Sequence, residues 1–385
     1  MARKPSFLVE ALEVVPDPRR PGGNLRHPLV NILVLGFCGV LVGCQDFTEV
    51  VEFAEAKRDL WDQFLDLEEG IPSVDTFERV FARLCPAALQ AALIDWLKEI
   101  RRQALAASTD EPRVVAIDGK TLRRTFDTGA GLAALHLVSA WASAEGLTLG
   151  QVAVDKKSNE ITAIPKLLEL LELRGAVVTI DAAGCQKDIA AQIVARGGDY
   201  LLALKGNQPT LHAEVSDFFL RQCERRRPER QVKRIVSTES GHGRSERREI
   251  MAAPAPAALT GREDWAGLKS VLLVGRESTA HTTGQTTGDV RCYVSSLPPK
   301  ARLLARVARA HWGIENGLHW TLDVVFAEDR CRLRTQHGPE NWAMLNRVAL
   351  SLVKGERATK GSLKCKRKRA GWQVEYLLQL LSSGT

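Results

Sequence analysis

Apolar residues in the first hundred positions recur at the three- and four-residue spacing of amphipathic helices. This spacing predicts helices at Leu29–Val42 and at residues 47–64 and 86–107, with another in SVDTFERVFARL that Ser73 or Asp75 would cap. The longest apolar run, residues 29–44, is short for a membrane span and contains Asn31 and three glycines. We therefore predict a buried helix there and no membrane segment. GIPS before the third helix allows a helix-turn-helix, and a plain helical bundle explains the same pattern.

Short runs of β-branched and other apolar residues replace this spacing after a polar break at residues 108–112. Strands are predicted at residues 114–117, 133–142, 147–154, 176–180 and 200–204, with helices at residues 161–173 and 186–196. Three consecutive strands followed by strand–helix alternation indicate an α/β fold, in which a mixed sheet carries helices on its faces.

A β-rich stretch interrupts this alternation. It begins with a helix that ends at Glu224, and strand-like pieces follow at residues 234–237, 247–251, 268–275 and 290–295, with turns at 241–243 and 279–288. Helical spacing resumes from residue 300 to 325 with a break or bend, and a last helix is predicted at residues 372–381. The chain is therefore expected to divide into a helical domain at 1–108, the first part of an α/β core at 109–208, a β-rich insertion at 209–299, and final helices with a basic C-terminal segment at 300–385.

Composition adds a basic balance without naming a partner. The chain has 385 residues, of which 45% are apolar and 26% are charged, and its formal net charge is +7. A positive charge suits a polyanionic partner but is weak evidence alone. None of the eight cysteines forms a CxxC pair, and the N-terminus lacks the apolar core of a signal peptide. These features argue against a zinc knuckle or redox motif and are typical of a cytoplasmic protein with reduced thiols.

Three carboxylates carry the candidate chemistry. Asp118 in VVAIDGK and Asp181 in VVTIDAAG each follow a predicted strand, and Glu315 lies in the helical segment HWGIENGLHW. We expect the two aspartates at the C-terminal ends of neighbouring strands, where open α/β sheets hold their ligands. Because close carboxylates repel one another unless a cation lies between them, the three acids predict two Mg²⁺ ions and cleavage of a phosphodiester bond. An aspartate after a strand is also a common turn or helix cap, and that alternative stays open.

Histidines and tryptophans surround Glu315 along the chain. His311, Glu315 and His319 are spaced i, i+4 and i+8, which allows a zinc site from the two histidines and Glu315, although no second ligand cluster supports zinc. Trp312 and Trp320 could stack on unpaired bases or could belong to the core.

Eight sequence blocks are spread over nearly the whole chain: DPRRPGGNLRHPLVNIL, GIPSVDTFERVF, AIDGKTLR, KSNEITAIPKLLELL, TIDAAGCQKDIA, DYLLALKGNQ, GHGRSERRE and HWGIENGLHWTLDVVFAEDRCR. Together they resemble bacterial DDE insertion-sequence transposases, in the subgroup that includes the H-repeat-associated proteins. The resemblance implies a ribonuclease-H-like catalytic core with a β-rich insertion before the last acid, and an N-terminal DNA-binding or associated domain. It also implies that Asp118, Asp181 and Glu315 form the metal-binding catalytic triad.

The activity implied by this resemblance is cleavage at the terminal inverted repeats of an insertion sequence, followed by joining of the 3′ ends to target DNA. It implies two Mg²⁺ ions, with Mn²⁺ as a substitute, and double-stranded DNA of the element ends and the target as partner. A homodimer or larger assembly on DNA, in the bacterial cytoplasm and associated with the nucleoid, is expected by analogy. A nuclease that cuts without joining and a catalytically silent DNA-binding relative are the alternatives.

The chain departs from the broader superfamily around the last acid. That superfamily often carries Tyr-x2-Arg-x3-Glu-x6-Lys, where this chain has Ala308, His311, Glu315 and Leu322. Only the glutamate is kept, so the roles of the tyrosine, arginine and lysine do not carry over. Candidate substitutes are polar or aromatic residues of the same helix: His311, Asn316, His319 and Trp320.

Basic residues outside this helix are candidates for phosphate contacts. Lys205 in ALKGNQ follows a predicted strand and could reach a phosphate near the acids, or it could be a solvated strand end. The basic runs at residues 225–234 and 364–369 would add sequence-independent DNA affinity, although charged runs are often only solvated surfaces. The sequence does not indicate which residues would contact base edges.

Overall fold

A computed structural model describes residues 6–382 apart from residues 21, 23–24, 107–111, 127–128, 130, 132, 156–157, 226–228 and 242. The helices are α1 (Ser6–Glu13), α2 (Leu29–Val42), α3 (Phe47–Ala56), α4 (Arg58–Trp61), α5 (Val74–Arg83), α6 (Pro86–Ala106), α7 (Glu160–Glu169), α8 (Lys187–Ala195), α9 (Pro209–Glu224), α10 (Ala301–Ile314), α11 (Trp320–Val325), α12 (Gly338–Gly355), α13 (Leu363–Trp372) and α14 (Val374–Ser382). The strands are β1 (Arg113–Thr121), β2 (His136–Ala142), β3 (Leu147–Ala153), β4 (Ala176–Ile180), β5 (Asp199–Leu204), β6 (Lys233–Gly241), β7 (Arg244–Pro254), β8 (Ser270–Ala280) and β9 (Thr286–Ser295).

The described strands form a nine-stranded mixed sheet in the order β3-β2-β1-β4-β5-β9-β8-β7-β6. β1, β4 and β5 run parallel, with Ile117 paired to Ile180 and Ile180 paired to Leu202. The connection between β4 and β5 contains α8, as parallel neighbours require a crossover. β2 and β3 form an antiparallel hairpin. The predicted mixed α/β sheet is therefore confirmed.

The later strands β6 to β9 extend the same sheet, because β9 pairs with β5 and the others follow antiparallel. The predicted strand-like pieces are present but longer than expected. The predicted turn at residues 279–288 is wrong at both ends, since β8 continues to Ala280 and β9 begins at Thr286. Thr279 pairs with Thr286, and their hydroxyl oxygens lie 2.9 Å apart, so these β-branched residues extend the ladder.

The chain divides into two compact units. The first contains Met1–Glu111, Gly119–Lys157 and Glu315–Thr385. The second contains Pro112–Asp118 and Ser158–Ile314.

An aromatic cluster lies in the largely aliphatic core of the first unit. Phe47 contacts Phe77, Phe81 and Trp342, with ring centroids 5.5, 5.0 and 5.0 Å apart. α12, which carries Trp342, is buried along nearly its whole length. The sequence pattern did not predict α12, because a helix buried on all sides lacks the polar face that reveals its period.

The helix predicted at residues 47–64 is interrupted, since α3 ends at Ala56 and α4 covers only Arg58–Trp61. The interruption allows Trp61 to reach Phe53, with ring centroids 5.7 Å apart. In one straight helix, residues eight apart would be separated by about 12 Å along the axis. The break in the helix is therefore accompanied by a contact between the buried Trp61 ring and the partly buried Phe53 ring.

Among the described residues, no single helix has the length and apolar character needed to cross a membrane. Two pairs of consecutive helices, bent by 97° and 98°, meet that test only when each pair is taken together, on length and composition alone.

In the second unit, α10 packs on one face of the sheet. Leu304 and Val307 of α10 belong to a buried cluster with Val177 of β4, Leu201 of β5 and Leu272 of β8. This apolar contact fixes the helix whose C-terminal end leads into the candidate site.

Candidate functional site

Asp118 and Asp181 occupy equivalent positions on neighbouring parallel strands. Ile117 of β1 pairs with Ile180 of β4, and each aspartate is the next residue. Adjacent strands lie about 4.8 Å apart, so this register keeps the two backbones close at the aspartates. The prediction that the strands are neighbours is confirmed. The prediction that both aspartates end their strands is wrong for Asp118, because β1 continues to Thr121.

The turn after Asp181 is built around its carboxylate. Asp181 Oδ1 accepts hydrogen bonds from the backbone N–H groups of Ala183, at 3.0 Å, and Gly184, at 3.4 Å. One oxygen of Asp181 therefore has the turn-capping role that was the alternative to metal binding. Both of these bonds engage Oδ1, so within the described part of the chain Oδ2 remains available to another ligand. A turn role and a metal-binding role are compatible here.

Lys205 lies on the loop that follows β5 and its side chain is exposed. Two later residues of that loop bind the turn after Asp181. Asn207 Nδ2 donates to the carbonyl of Ala182, and Gln208 Nε2 donates to the carbonyl of Cys185 at 3.0 Å. The loop that carries Lys205 is thus fixed to the turn that carries the second aspartate.

His311 lies on the face of α10 that meets the sheet. Its Nδ1 is 3.0 Å from the hydroxyl of Thr179 in β4, two residues before Asp181. Burial, and next the charge of Arg291, lower the pKa of His311 from 6.5 to about 4. His311 is therefore neutral at neutral pH. Residues two apart on a strand point to the same face of the sheet. His311, which contacts Thr179, therefore lies on the same side of the sheet as Asp181.

Trp312 is 40% exposed, so the core alternative for this residue is wrong. The guanidinium of Arg291 lies 4.2 Å from the centroid of its ring. This geometry is a cation–π contact between the Arg291 side chain and a partly exposed indole. Trp320, at 59% exposure, is also outside the core.

A π-helical turn, Glu315–His319, separates α10 from α11. The predicted break or bend in this helical region is therefore a widened turn. The hydroxyl of Thr321 donates to the carbonyl of Asn316, five residues earlier, at 3.2 Å. Glu315 and Asn316 are exposed, while His319 is buried. Such turns often occur at functional sites, because they redirect side chains without ending the helix.

Asp118, Glu315 and His319 can each offer one ligand atom within 4.8 Å of the others. Carboxylates suit Mg²⁺ and Mn²⁺, and an imidazole extends the choice toward Zn²⁺. The donor set therefore fits a divalent cation. Within the described residues this group does not include Asp181 or His311. The zinc alternative from His311, His319 and Glu315, which the sequence already disfavoured, is therefore not the group that these residues form. Asp181 lies near this group only through the pairing of its strand with that of Asp118.

A buried charge network that was not predicted from the sequence lies beside this turn. Lys120, two residues after Asp118, contacts the carboxylates of Asp323 and Glu328, and Glu328 binds Arg347. The spacing of two between Asp118 and Lys120 was a usable signal, because it puts both side chains on one strand face. The partners Glu328 and Arg347 are distant in sequence and carry no such signal.

The basic run at residues 364–369 is only partly available to solvent. Arg367 is buried and donates to the carbonyls of Val40 at 2.6 Å and Leu41 at 3.3 Å, and its side chain also binds the carbonyl of Val325. Lys366 is buried as well, 3.0 Å from the carboxylate of Glu356. These two residues hold the fold, which leaves the rest of the run for any DNA contact.

The other basic run, residues 225–234, lies partly outside the described residues, which omit 226–228. Of its described members, Arg225 is 2.7 Å from Glu229, and Arg234 is 2.6 Å from Glu249. Both arginines already have carboxylate partners, so any DNA phosphate would compete with an existing ion pair.

Two family models match the chain, "DDE_Tnp_1-associated" at residues 9–97 and "Transposase DDE domain" at residues 109–352. "H repeat-associated putative transposase YhhI" of Escherichia coli (strain K12) is 36% identical over 378 residues, which is 97% of each chain. "Uncharacterized protein in dhlA 3'region" of Xanthobacter autotrophicus is 44% identical over 284 residues, 74% of this chain and 92% of that protein. "Inactive transposase YbfQ" of Escherichia coli (strain K12) is 34% identical over 76 residues, 20% of this chain and 89% of that protein.

Proposed function

The chain belongs to the DDE transposase family, and from that membership we propose that it cleaves DNA at the terminal inverted repeats of an insertion sequence and joins the 3′ ends to target DNA. The observation that carries this proposal is the group formed by Asp118, Glu315 and His319, whose potential ligand atoms lie within 4.8 Å of one another. A family whose domain implies divalent-metal use, and a donor set that suits a divalent cation, support the same chemistry.

Asp118, Asp181 and Glu315 are the proposed metal ligands, and Mg²⁺ is the proposed ion, with two bound and Mn²⁺ as a substitute. When bound, such ions activate a water or 3′-hydroxyl oxygen and stabilise the leaving oxygen. The paired positions of Ile117 and Ile180 support a shared site for the two aspartates. The bonds to Asp181 Oδ1 orient its carboxylate and leave Oδ2 for a ligand.

The DNA contacts are proposed from the exposed residues near these acids. Lys205 is proposed to bind a phosphate, since its loop is tied to the turn after Asp181. Trp312 and Trp320 are proposed to stack on unpaired bases, because both rings reach the surface. Asn316, exposed at the π-helical turn, is proposed to join this surface. His319 is buried and His311 is neutral and bonded to Thr179, so these two histidines are proposed to support the surface from beneath and not to form part of it.

At the level of the whole protein, residues 1–108 are proposed to form a DNA-binding or associated domain. Residues 109–208 and 300–385 are proposed to form a ribonuclease-H-like core, with 209–299 as its β-rich insertion. Two transposon ends must be held together for joining, so we propose a homodimer or larger assembly on DNA. Action on chromosomal DNA would place the protein in the cytoplasm with the nucleoid.

The test uses purified protein, Mg²⁺ and labelled duplex DNA that carries the inverted repeats flanking the gene. We expect cleaved ends and products joined to a target plasmid. Asp118→Asn, Asp181→Asn and Glu315→Gln should each reduce the cleavage rate roughly thousandfold, which corresponds to several kcal/mol of lost transition-state stabilisation. Asp217→Asn, which changes an exposed carboxylate of α9, is the matched control and should retain wild-type activity.

The same assay separates the alternatives. Cleaved but unjoined DNA would indicate a nuclease, and bound but uncut DNA would indicate a silent DNA-binding relative. Cleavage that survives all three acid substitutions would contradict the proposed site.

A further inference from the structure

Lys120 is a buried lysine that contacts the segment following Glu315. Its side chain is 8% exposed, and its Nζ binds the carboxylate of Asp323 and lies 3.3 Å from Oε2 of Glu328. The backbone oxygen of His319, the last residue of the π-helical turn, is 3.5 Å from the same nitrogen. Burial of an ammonium group is costly unless it is paired. The surrounding oxygen acceptors therefore offset the cost of burying the Lys120 ammonium group.

The partners of Lys120 are themselves fixed to rigid elements. Glu328 is fully buried, and its Oε1 accepts a hydrogen bond from Nη1 of Arg347 at 2.5 Å. Arg347, from the buried helix α12, also donates through Nε to the hydroxyl of Ser139 in β2 at 3.2 Å. The ammonium of Lys120 is consequently held between the segment after Glu315 and a packed helix and strand.

The π-helical turn is also seated against a second surface. A Cβ added at Gly317 would lie 3.3 Å from Lys354 Nζ and 3.3 Å from Trp141 Nε1. Lys354 Nζ in turn lies 5.2 Å from the centroid of the Trp141 ring. The absence of a side chain at Gly317 lets the turn approach this surface. Lys120 then contacts the end of the turn, so its position is constrained at two places.

We propose that Lys120 is a positioning residue that fixes Glu315 and His319 for divalent-cation binding with Asp118. Lys120 and Asp118 are two residues apart on β1 and therefore share a strand face. β1 thus carries both Asp118, a proposed metal ligand, and Lys120, whose ammonium group holds the turn that contains Glu315. This inference rests on the proposed metal site. It adds that the positions of Glu315 and His319 depend on the contacts of Lys120 with Asp323 and the His319 carbonyl.

The test measures Mn²⁺ binding by the full-length protein without DNA, using electron paramagnetic resonance of free Mn²⁺. Lys120→Met keeps the length of the side chain and removes its charge. We expect Mn²⁺ to bind about 10- to 100-fold more weakly, which is the usual effect of losing a group that orients metal ligands. Circular dichroism and thermal melting report whether the variant is folded. Lys187→Met is the matched control, because Lys187 forms an exposed ion pair with Asp264 at 2.6 Å, and it should leave Mn²⁺ affinity unchanged.

A folded Lys120→Met variant with wild-type Mn²⁺ affinity would overturn the inference. If this variant does not fold, Asp323→Asn decides, because the Asp323 side chain is 37% exposed and tolerates change more readily. A loss of roughly tenfold in affinity would support the inference, and an unchanged affinity would overturn it. Failure of the proposed function looks different: wild-type protein would then bind no Mn²⁺, or Glu315→Gln would leave the binding unchanged.

Discussion

The charge of His311 limits what this residue can replace. Burial, followed by the nearby Arg291, lowers its pKa to about 4, so the imidazole is neutral at pH 7. The arginine of the superfamily pattern is always charged. His311 therefore cannot supply that positive charge to a phosphate. The contact with Thr179 instead makes it a polar link between α10 and β4.

The same shift predicts a pH dependence of stability. Above pH 6.5, His311 is neutral in both the folded and unfolded states. As the pH falls from 6.5 to about 4, the unfolded chain takes up a proton that the folded chain resists, so the free energy of unfolding decreases by up to about 3 kcal/mol. His311→Gln should remove this part of the decrease while keeping a polar partner for Thr179.

Urea unfolding of both proteins at pH 7 and pH 4.5 measures the difference. His281→Asn, at the exposed turn between β8 and β9, is the control and should keep the wild-type dependence. An equal loss of stability on acidification in wild type and His311→Gln would contradict the prediction.

At the scale of elements, the sequence predicted what depends on local pattern. The strand at Ala176–Ile180 was predicted with its observed bounds, because five consecutive apolar or β-branched residues are typical of a strand buried on both faces. The π-helical turn at Glu315–His319 was predicted only as a break or bend. The turn makes tertiary contacts at Gly317 and at the His319 carbonyl, which Lys120 approaches, and neither contact appears in the local pattern.

The turn after Asp181 gives a prediction at this scale. A Cβ on Gly184 would lie 2.3 Å from Cγ2 of Ile180 and 2.9 Å from Cδ1 of Ile164. Gly184→Ala should therefore force the turn to move, reduce the free energy of unfolding by about 1–3 kcal/mol, and disturb the N–H group that binds Asp181. Chemical denaturation and Mn²⁺ affinity should both show a loss.

Gly206→Ala is the matched control for this prediction. Gly206 lies on the loop after β5, and an added Cβ there would meet nothing within 4 Å. Its stability should stay within about 0.5 kcal/mol of wild type, as for most surface changes. Equal stabilities of the two alanine variants would show that the turn after Asp181 accommodates the methyl group.

At the scale of the whole molecule, the net charge suits a polyanionic partner, but it does not show which basic side chains are free to bind one. The run at residues 364–369 looks uniform in sequence, but two of its members serve the fold. Arg367 is 326 residues from Leu41 in the chain and is bonded to its carbonyl. Only the packing of the N-terminal helix α2 beside α13 makes this role visible, so no local charge pattern could have revealed it.

This division of the basic helix α13 predicts two opposite kinds of variant. Lys364 and Lys368 are exposed, so a Lys364→Gln/Lys368→Gln protein should fold normally. If each lysine meets one phosphate, the slope of log affinity for DNA against log salt should become shallower by about 1.8, or 0.9 for each contact. Arg367→Met should instead reduce the free energy of unfolding by about 3 kcal/mol or more, because buried carbonyls lose their donor.

Fluorescence anisotropy across a salt series and urea unfolding distinguish the two effects. An unchanged salt slope in the double variant would remove α13 from the DNA-binding surface, and a stable Arg367→Met protein would contradict its structural role.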